Sequence, residues 1–555
     1  MASSGKECVI DAVDHRGFDA RRSKTGRWRA AWFIIGVEVA ERFAHYGIGS
    51  NLISYLTGPL CQSTAVAAAN VNAWSGISTI LPVLGAFVAD AFLGRYRTII
   101  IASLVYVLGL AFLTLSAFMI PNTTEVTSSP SSFVNAFFFF SLYLVAIGQS
   151  GHKPCVQAFG ADQFDEKNLQ EYSDRSSFFN WWFLTICAGI SLAILVVVYI
   201  QEYVSWALGF GIPCVFMVIS LALFVFGRRS YRYSKRRQEE EANPFTRIGR
   251  VFFVAFKNQS LSSSELCIAE LEANPSQDSP EELSCLNKAL LVPNDCLDGE
   301  VACKSGDVED ATALIRLIPV WLTTLSYAIP YAQYMTFFTK QGVTMERTMF
   351  PGVEIPPASL QALISLSIIV FVPIYDRVLV PMGKTITKDP RGITTLKRIG
   401  TGMVLATLTM VVAALVESKR LKTAKEHGLI DQPNTTVPKS IWWLFPQYIL
   451  LGLADVHTLV GMQEFFYSQV PTEMRSIGMA LYLSAFGVGS LLSSLLISLI
   501  DLTTGRDAGD SWFNSNLNRA HLDYFYWLLA VVSAVGFFTF LFISRSYIYR
   551  RVDGV

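Results

Sequence analysis

The chain has 555 residues, of which 52% are hydrophobic, 13% aromatic and only 16% charged. Soluble proteins carry about a quarter charged residues, so an ordinary soluble domain is excluded and a polytopic membrane protein is indicated. Lys and Arg number 44 and Asp and Glu also 44, a balance that gives no reason to expect a nucleic-acid partner. The nine cysteines are scattered without a CxxC pair, so neither a zinc site nor a disulfide framework is expected, and no metal or cofactor is called for. The spans hold no HExxH, no GxSxG and no nucleophile–base pair at recognisable spacing, which argues against an enzyme.

Residues 1–30 read as a polar, basic segment with no apolar run ahead of Trp28, so no cleavable signal peptide is expected. Apolar stretches of about 20 residues, long enough to cross a bilayer, then follow. The first six are 31–56, 70–93, 98–120, 133–158, 178–200 and 204–226. Six more are 311–338, 357–380, 394–416, 440–467, 477–500 and 521–544. The expected domains are therefore a six-helix bundle over 31–226, a central loop over 227–310, a second bundle over 311–545 and a tail over 546–555. The loop opens RRSYRYSKRR directly after the sixth span, and the positive-inside rule places it in the cytoplasm together with both termini. Loops 57–69 and 121–132 carry no Lys or Arg, as outside loops should, whereas 417–439 is basic although the count puts it outside. Asp90 with Gly94, Arg95 and Arg97 closes the second span, and Asp376 with Arg377, Gly383 and Lys384 closes the eighth. Two copies in register point to parallel six-helix repeats.

Charges within the spans carry the functional signal. In the first, Glu38, Glu41, Arg42 and His45 stand at i, i+3, i+4 and i+7 and share one helix face. Charges at that depth cost several kcal/mol by most estimates, so the face must look into protein or water, and ionisable groups so placed are functional by default. A static ion pair at Arg42 is expected, but two carboxylates against one guanidinium leave one acid free to exchange a proton. Lys153, in the fourth span just before Pro154, and Glu464, in the tenth, come one from each half and could form a gating ion pair. Pro154 is expected to break the fourth helix. His457 lies seven residues before Glu464 and on its face, with a structural role preferred over a proton relay; Asp455 faces elsewhere, as a cap or structural partner.

The ExxER signature of Glu38, Glu41 and Arg42, Lys153 followed by PCVQAFGADQFD, and EFFYSQVP around Glu464 resemble the plant nitrate and peptide transporter family. This is the plant branch of the proton-dependent oligopeptide transporters, within the major facilitator superfamily. The resemblance implies an all-α membrane protein with twelve transmembrane helices in two six-helix bundles. It further implies alternating access and symport driven by protons at the first-helix acids. The family's central loop carries an amphipathic lateral stretch, for which FTRIGRVFFVAF (245–256) is the candidate.

Departures from the family pattern bear on the solute. Bacterial peptide transporters carry an Arg where this chain has Gly49, and a fifth-helix Asn where it has Cys187. The seventh-helix His and the Thr of a nitrate-binding relative correspond to Tyr331 and Met335, and His45 replaces the first Tyr of a YYG motif whose second is Tyr46. Cavity candidates are thus His45, Tyr46, Tyr331, Met335 and His457. Thr98 matches a phosphorylated position in that relative, which would imply a regulatory kinase, although a plain helix N-cap is the preferred reading. The function expected is proton-coupled transport of a small hydrophilic solute, low-affinity nitrate or a di- or tripeptide, across the plasma or vacuolar membrane. The alternatives are another plant metabolite, or a nutrient sensor with little flux.

Overall fold

The computed structural model describes residues 8–120, 130–165, 168–234, 244–259, 266–268, 291–293, 303, 305–350, 352–379, 381–382, 385, 394–470, 475–505 and 511–547. The first set of long helices is α1 (Arg27–Gly49), α2 (Thr64–Val88), α3 (Arg95–Phe118), α4 (Ser132–Ala161), α5 (Leu169–Leu192) and α6 (Trp206–Phe226). A helix outside the spans, α7 (Pro244–Gln259), comes next. The second set is α8 (Ser305–Tyr331), α9 (Ala362–Ile374), α10 (Thr395–Glu426), α11 (Phe445–Ser468), α12 (Arg475–Thr504) and α13 (Leu522–Ser546). Among the described residues eleven helical segments are long and apolar enough to cross a membrane. The twelfth is α1, whose three mid-span charges, Glu38, Glu41 and Arg42, set it apart. It packs against α4, α5 and α6, so those charges meet protein instead of lipid.

Within the first set α3 packs on α4 and α6, and α2 on α4; within the second α10 packs on α11 and α13, and α8 on α12 and α13. The sets meet where α2 lies along α12 and α5 along α9. Gly85 shows how tightly these helices cross: a Cβ there would fall 2.0 Å from the Ser150 carbonyl oxygen of α4. Pro154 does not break its helix as expected, since α4 continues to Ala161. Helix interiors also hold Pro82, Pro213, Pro319 and Pro373, tolerated in membrane spans because neighbouring groups re-satisfy the freed carbonyls.

The internal repeat has a backbone counterpart. The second span ends in a π turn, Ala89–Leu93, and the eighth ends in another, Tyr375–Leu379. The first closes on Gly94 at φ 76°, a left-handed conformation open to glycine. The Asp90 and Asp376 side chains, with Gly383 and Lys384, lie outside the described residues.

Two segments outside the spans take on more structure than their composition suggests. The N-terminal segment forms a hairpin, β1 (Cys8–Val13) with β2 (Asp19–Arg21), and β1 also pairs with β3 (Tyr233–Ser234), the strand that follows α6. This sheet ties the start of α1 to the end of α6. Arg22 pairs with Asp165, Arg27 with Asp174 at 3.1 Å, and buried Arg232 with Glu171 at 2.6 Å. The basic 417–439 region is for the most part not loop. α10 extends to Glu426, and Arg420 is fully buried, bonded to Glu417 at 2.6 Å and to Asn518 at 2.8 Å. Lys419 and Lys439 lie over the Trp443 ring, 5.1 and 4.8 Å from its centroid. These charges are satisfied locally and carry little weight in a positive-inside count. The lateral candidate is α7. Its Ile248 and Val251 pack into the second set's core, while Phe253 and Phe256 are exposed.

Candidate functional site

Two turns of α1 build the centre. Arg42 grips one oxygen of Glu38 from both Nε, at 2.9 Å, and an amino nitrogen, at 2.8 Å, and its Nε lies 3.5 Å from Glu41 Oε2. The amide of Gln149 on α4 donates to Glu41 Oε1 at 2.6 Å. Glu38 is 2% exposed and Glu41 0%, yet Oε2 of each acid accepts no hydrogen bond. Two buried carboxylates thus share one guanidinium and one amide, fewer donors than two fully ionised acids require. Gln149 stands four residues before Lys153, one turn along α4. The Lys153 charge acts on Glu38, Glu41 and His45, but among the described residues no carboxylate lies within ion-pair distance of its ammonium.

Facing α1 across the interior is a group of phenols. Tyr331 stacks on Tyr327 with centroids 6.1 Å apart and also meets Tyr334 at 5.0 Å and Phe486 at 5.4 Å. Tyr46 of α1 and Tyr482 of α12 lie near both Arg42 and Asp455, which places the two groups on facing sides of one interior. Asp455 lies on the other side of α11 from Glu464, as its spacing implies, and that side meets the interior. It is 2% exposed and accepts the Tyr327 hydroxyl at 2.5 Å. Glu464 follows nine residues later, half a turn out of phase on an α-helix, and so lies on the opposite side. It is 56% exposed, with Arg398 3.6 Å away.

The ion pair expected between Lys153 and Glu464 is therefore absent from this conformation. Polar contacts between the two helix sets lie toward the other end. Lys340 Nζ donates to Thr57 at 3.0 Å, Gln361 to the Ser50 carbonyl at 2.8 Å, Asn72 to Ser493 at 3.0 Å, and Arg347 stands 3.7 Å from Glu202.

The remaining candidates divide. His45 stacks on Trp74 at 5.3 Å and meets Tyr46 edge-on at 5.3 Å, within the site. His457 joins the Glu464 side, its ring 5.3 Å from Tyr375 and its Nδ1 2.9 Å from the Leu453 carbonyl, a local helix contact that suits the structural reading. Met335 is 5% exposed in a 3-10 turn, with its Cε near Gly49 of α1. Thr98 is not an N-cap. Gly94 holds that position, and the Thr98 hydroxyl, 5% exposed, donates back to the Gly94 carbonyl at 3.0 Å. Sequence reasoning passed over Gln149, one of three amides in α4, whose only signal was its one-turn spacing from Lys153.

The family model described as "PTR2: POT family" matches residues 96–513. The chain belongs to the POT family. "Protein NRT1/ PTR FAMILY 5.13" of Arabidopsis thaliana is 88% identical over 551 residues, covering 99% of this chain and 98% of that one. "Protein NRT1/ PTR FAMILY 5.14" of the same organism is 82% identical over 550 residues, with the same coverage. A crystal structure of an auto-inhibited POT family peptide transporter superposes with TM-score 0.70 at 22% identity, covering 95% of this chain and 98% of that one, which establishes the shared fold. The protein is thus an integral multi-pass membrane transporter of the POT family and not an enzyme. In this POT-family chain Gly49 lies against Trp74: a Cβ there would stand 3.1 Å from the Trp74 ring and 3.8 Å from Met335 Cε. The indole fills the place that an arginine would need.

Proposed function

We propose that this transporter is a proton-coupled symporter of a small zwitterionic solute, with a di- or tripeptide preferred over nitrate, working by alternating access. The coupling proton is exchanged at the Glu38–Glu41–Arg42 group. The observation that carries this reading is the pair of buried carboxylates sharing one guanidinium, with an unbonded oxygen on each. An acid so placed gains from taking a proton, and a second acid keeps Arg42 paired while it does so. The solute preference rests on the chamber. Lys153, with no carboxylate within ion-pair distance among the described residues, supplies positive charge on one wall, and on the other the Asp455 carboxyl, which accepts from Tyr327, can accept an ammonium as well. A zwitterion engages both, whereas nitrate engages Lys153 alone. The termini are assigned to the cytoplasm. Lys153 and Glu464 are then apart in a conformation closed toward the outside, and they pair when the cytoplasmic end shuts and α11 turns its Glu464 face inward.

The test is uptake into proteoliposomes with an imposed pH gradient, using a panel of dipeptides, nitrate and single amino acids. Accumulation of a zwitterion that collapses with a protonophore supports the proposal. Gradient-independent uptake, or uptake of nitrate alone, contradicts it.

A further inference from the structure

A second site lies away from the transport chamber, at the end of the first bundle that carries the termini. The turn of the N-terminal hairpin, the π turn after α2, the start of α3, the end of α4 and the segment after α6 enclose a cavity of about 660 Å³. Its polar lining includes Arg95, Arg97, Arg228, His15, Tyr96 and Tyr233. Two acids also line it, and both are already engaged. Asp162 accepts from Arg95 at 2.5 Å, and Asp14 accepts the backbone N–H groups of Arg16 at 2.8 Å and Phe18 at 3.0 Å. The guanidiniums of Arg97 and Arg228 have no hydrogen-bond or ion-pair partner among the described residues. They arrive from separate parts of the chain, the start of α3 and the segment after α6, and the same sheet that joins the N-terminus to β3 frames the space between them. Next to these charges Phe92 and Leu93, which also line the cavity, are exposed, Phe92 by 67%.

Two unpaired planar guanidiniums beside tyrosines form a receptor for a phosphate group, which accepts paired N–H bonds from each arginine. The adjoining exposed apolar side chains supply a surface for an acyl chain. With the termini cytoplasmic, as proposed above, the cavity opens at the leaflet that carries anionic lipid. We propose that this cavity binds the phosphorylated headgroup of an anionic phospholipid, with the acyl chains lying along Phe92 and Leu93. The shared chemistry is a phosphate ester, and the apolar neighbours assign it to a lipid instead of a free metabolite.

The experiment uses the full-length protein in neutral detergent and native mass spectrometry. Probes are dioctanoyl phosphatidylinositol 4-phosphate, free inositol phosphate and dioctanoyl phosphatidylcholine. Wild type should retain the phosphoinositide over phosphatidylcholine. Arg97→Gln with Arg228→Gln should weaken binding by about tenfold for each charge-assisted hydrogen bond removed. Arg97→Lys with Arg228→Lys should restore part of the affinity, which separates charge loss from misfolding. Arg228→Gln alone, at an exposed and unpaired side chain, provides a variant whose melting temperature should match wild type. Free inositol phosphate binding as tightly as the lipid would overturn the lipid assignment. Phosphoinositide binding unchanged in the double glutamine variant, or absent from wild type, would overturn the site. Because binding is read without transport, its failure is distinct from failure of the symport reading.

Discussion

Replacing Gln149 by Leu tests the coupling group without touching any of its charges. Gln149 is fully buried, and its amide makes the 2.6 Å bond to Glu41 Oε1. With that bond gone, Glu41 keeps only the 3.5 Å approach of Arg42 Nε. A hydrogen bond to a charged group contributes about 1.5–3 kcal/mol, and one pH unit corresponds to about 1.36 kcal/mol. The loss falls on the ionised form of Glu41, because a neutral carboxyl needs the donor less. The substituted protein therefore holds its proton more tightly. In a proton-driven uptake assay over a pH series, the midpoint of Gln149→Leu should move to higher pH by about one to two units. The maximal rate should fall, because release on the inner side is slower. Gln149→Leu that reaches the membrane in normal amount with an unchanged midpoint would refute the claim that Glu41 takes part in coupling.

Three further outcomes are expected. Arg232→Met leaves Glu171 buried without its cation, a loss of about 3–5 kcal/mol, and should lower the melting temperature in detergent, with Glu171→Gln on the same chain recovering part of it. Tyr331→His should raise nitrate uptake at acidic pH, where the imidazole is charged, and do little at alkaline pH; a pH series of nitrate uptake checks this. Cysteines at positions 153 and 464 should cross-link poorly in the conformation described and readily when the cytoplasmic end is closed. Equal cross-linking in both states would remove the pair from the gate.

Much of the fold was legible because a bilayer demands long apolar runs, and the first-helix site stood out because charges interrupt one. The choice between Asp455 and Glu464 was not legible. Both sit in the same apolar helix on opposite sides, and only the hydrogen bond from Tyr327 of α8 and the packing of α11 on α12 tell which side meets the chamber. Pro154 misled because the rule that proline ends helices belongs to water-exposed backbone; inside α4 neighbouring helices support the turn. The N-terminal hairpin went unseen because Cys8–Val13 is short and gains its order from β3, more than 200 residues away in sequence. The Arg420–Glu417 pair was hidden for a related reason. A run of lysines and arginines reads as loop until Asn518 and the Leu517 carbonyl are brought beside it.

The central claim is that Glu38 and Glu41 carry the coupling proton, and the most direct measurement compares net accumulation with exchange in the same proteoliposomes. Glu38→Gln and Glu41→Gln should each abolish accumulation driven by a pH gradient. Exchange of labelled for unlabelled solute at equal pH should persist, because the chamber and both bundles remain intact. Uphill, protonophore-sensitive accumulation at wild-type rates by both single variants would contradict the account.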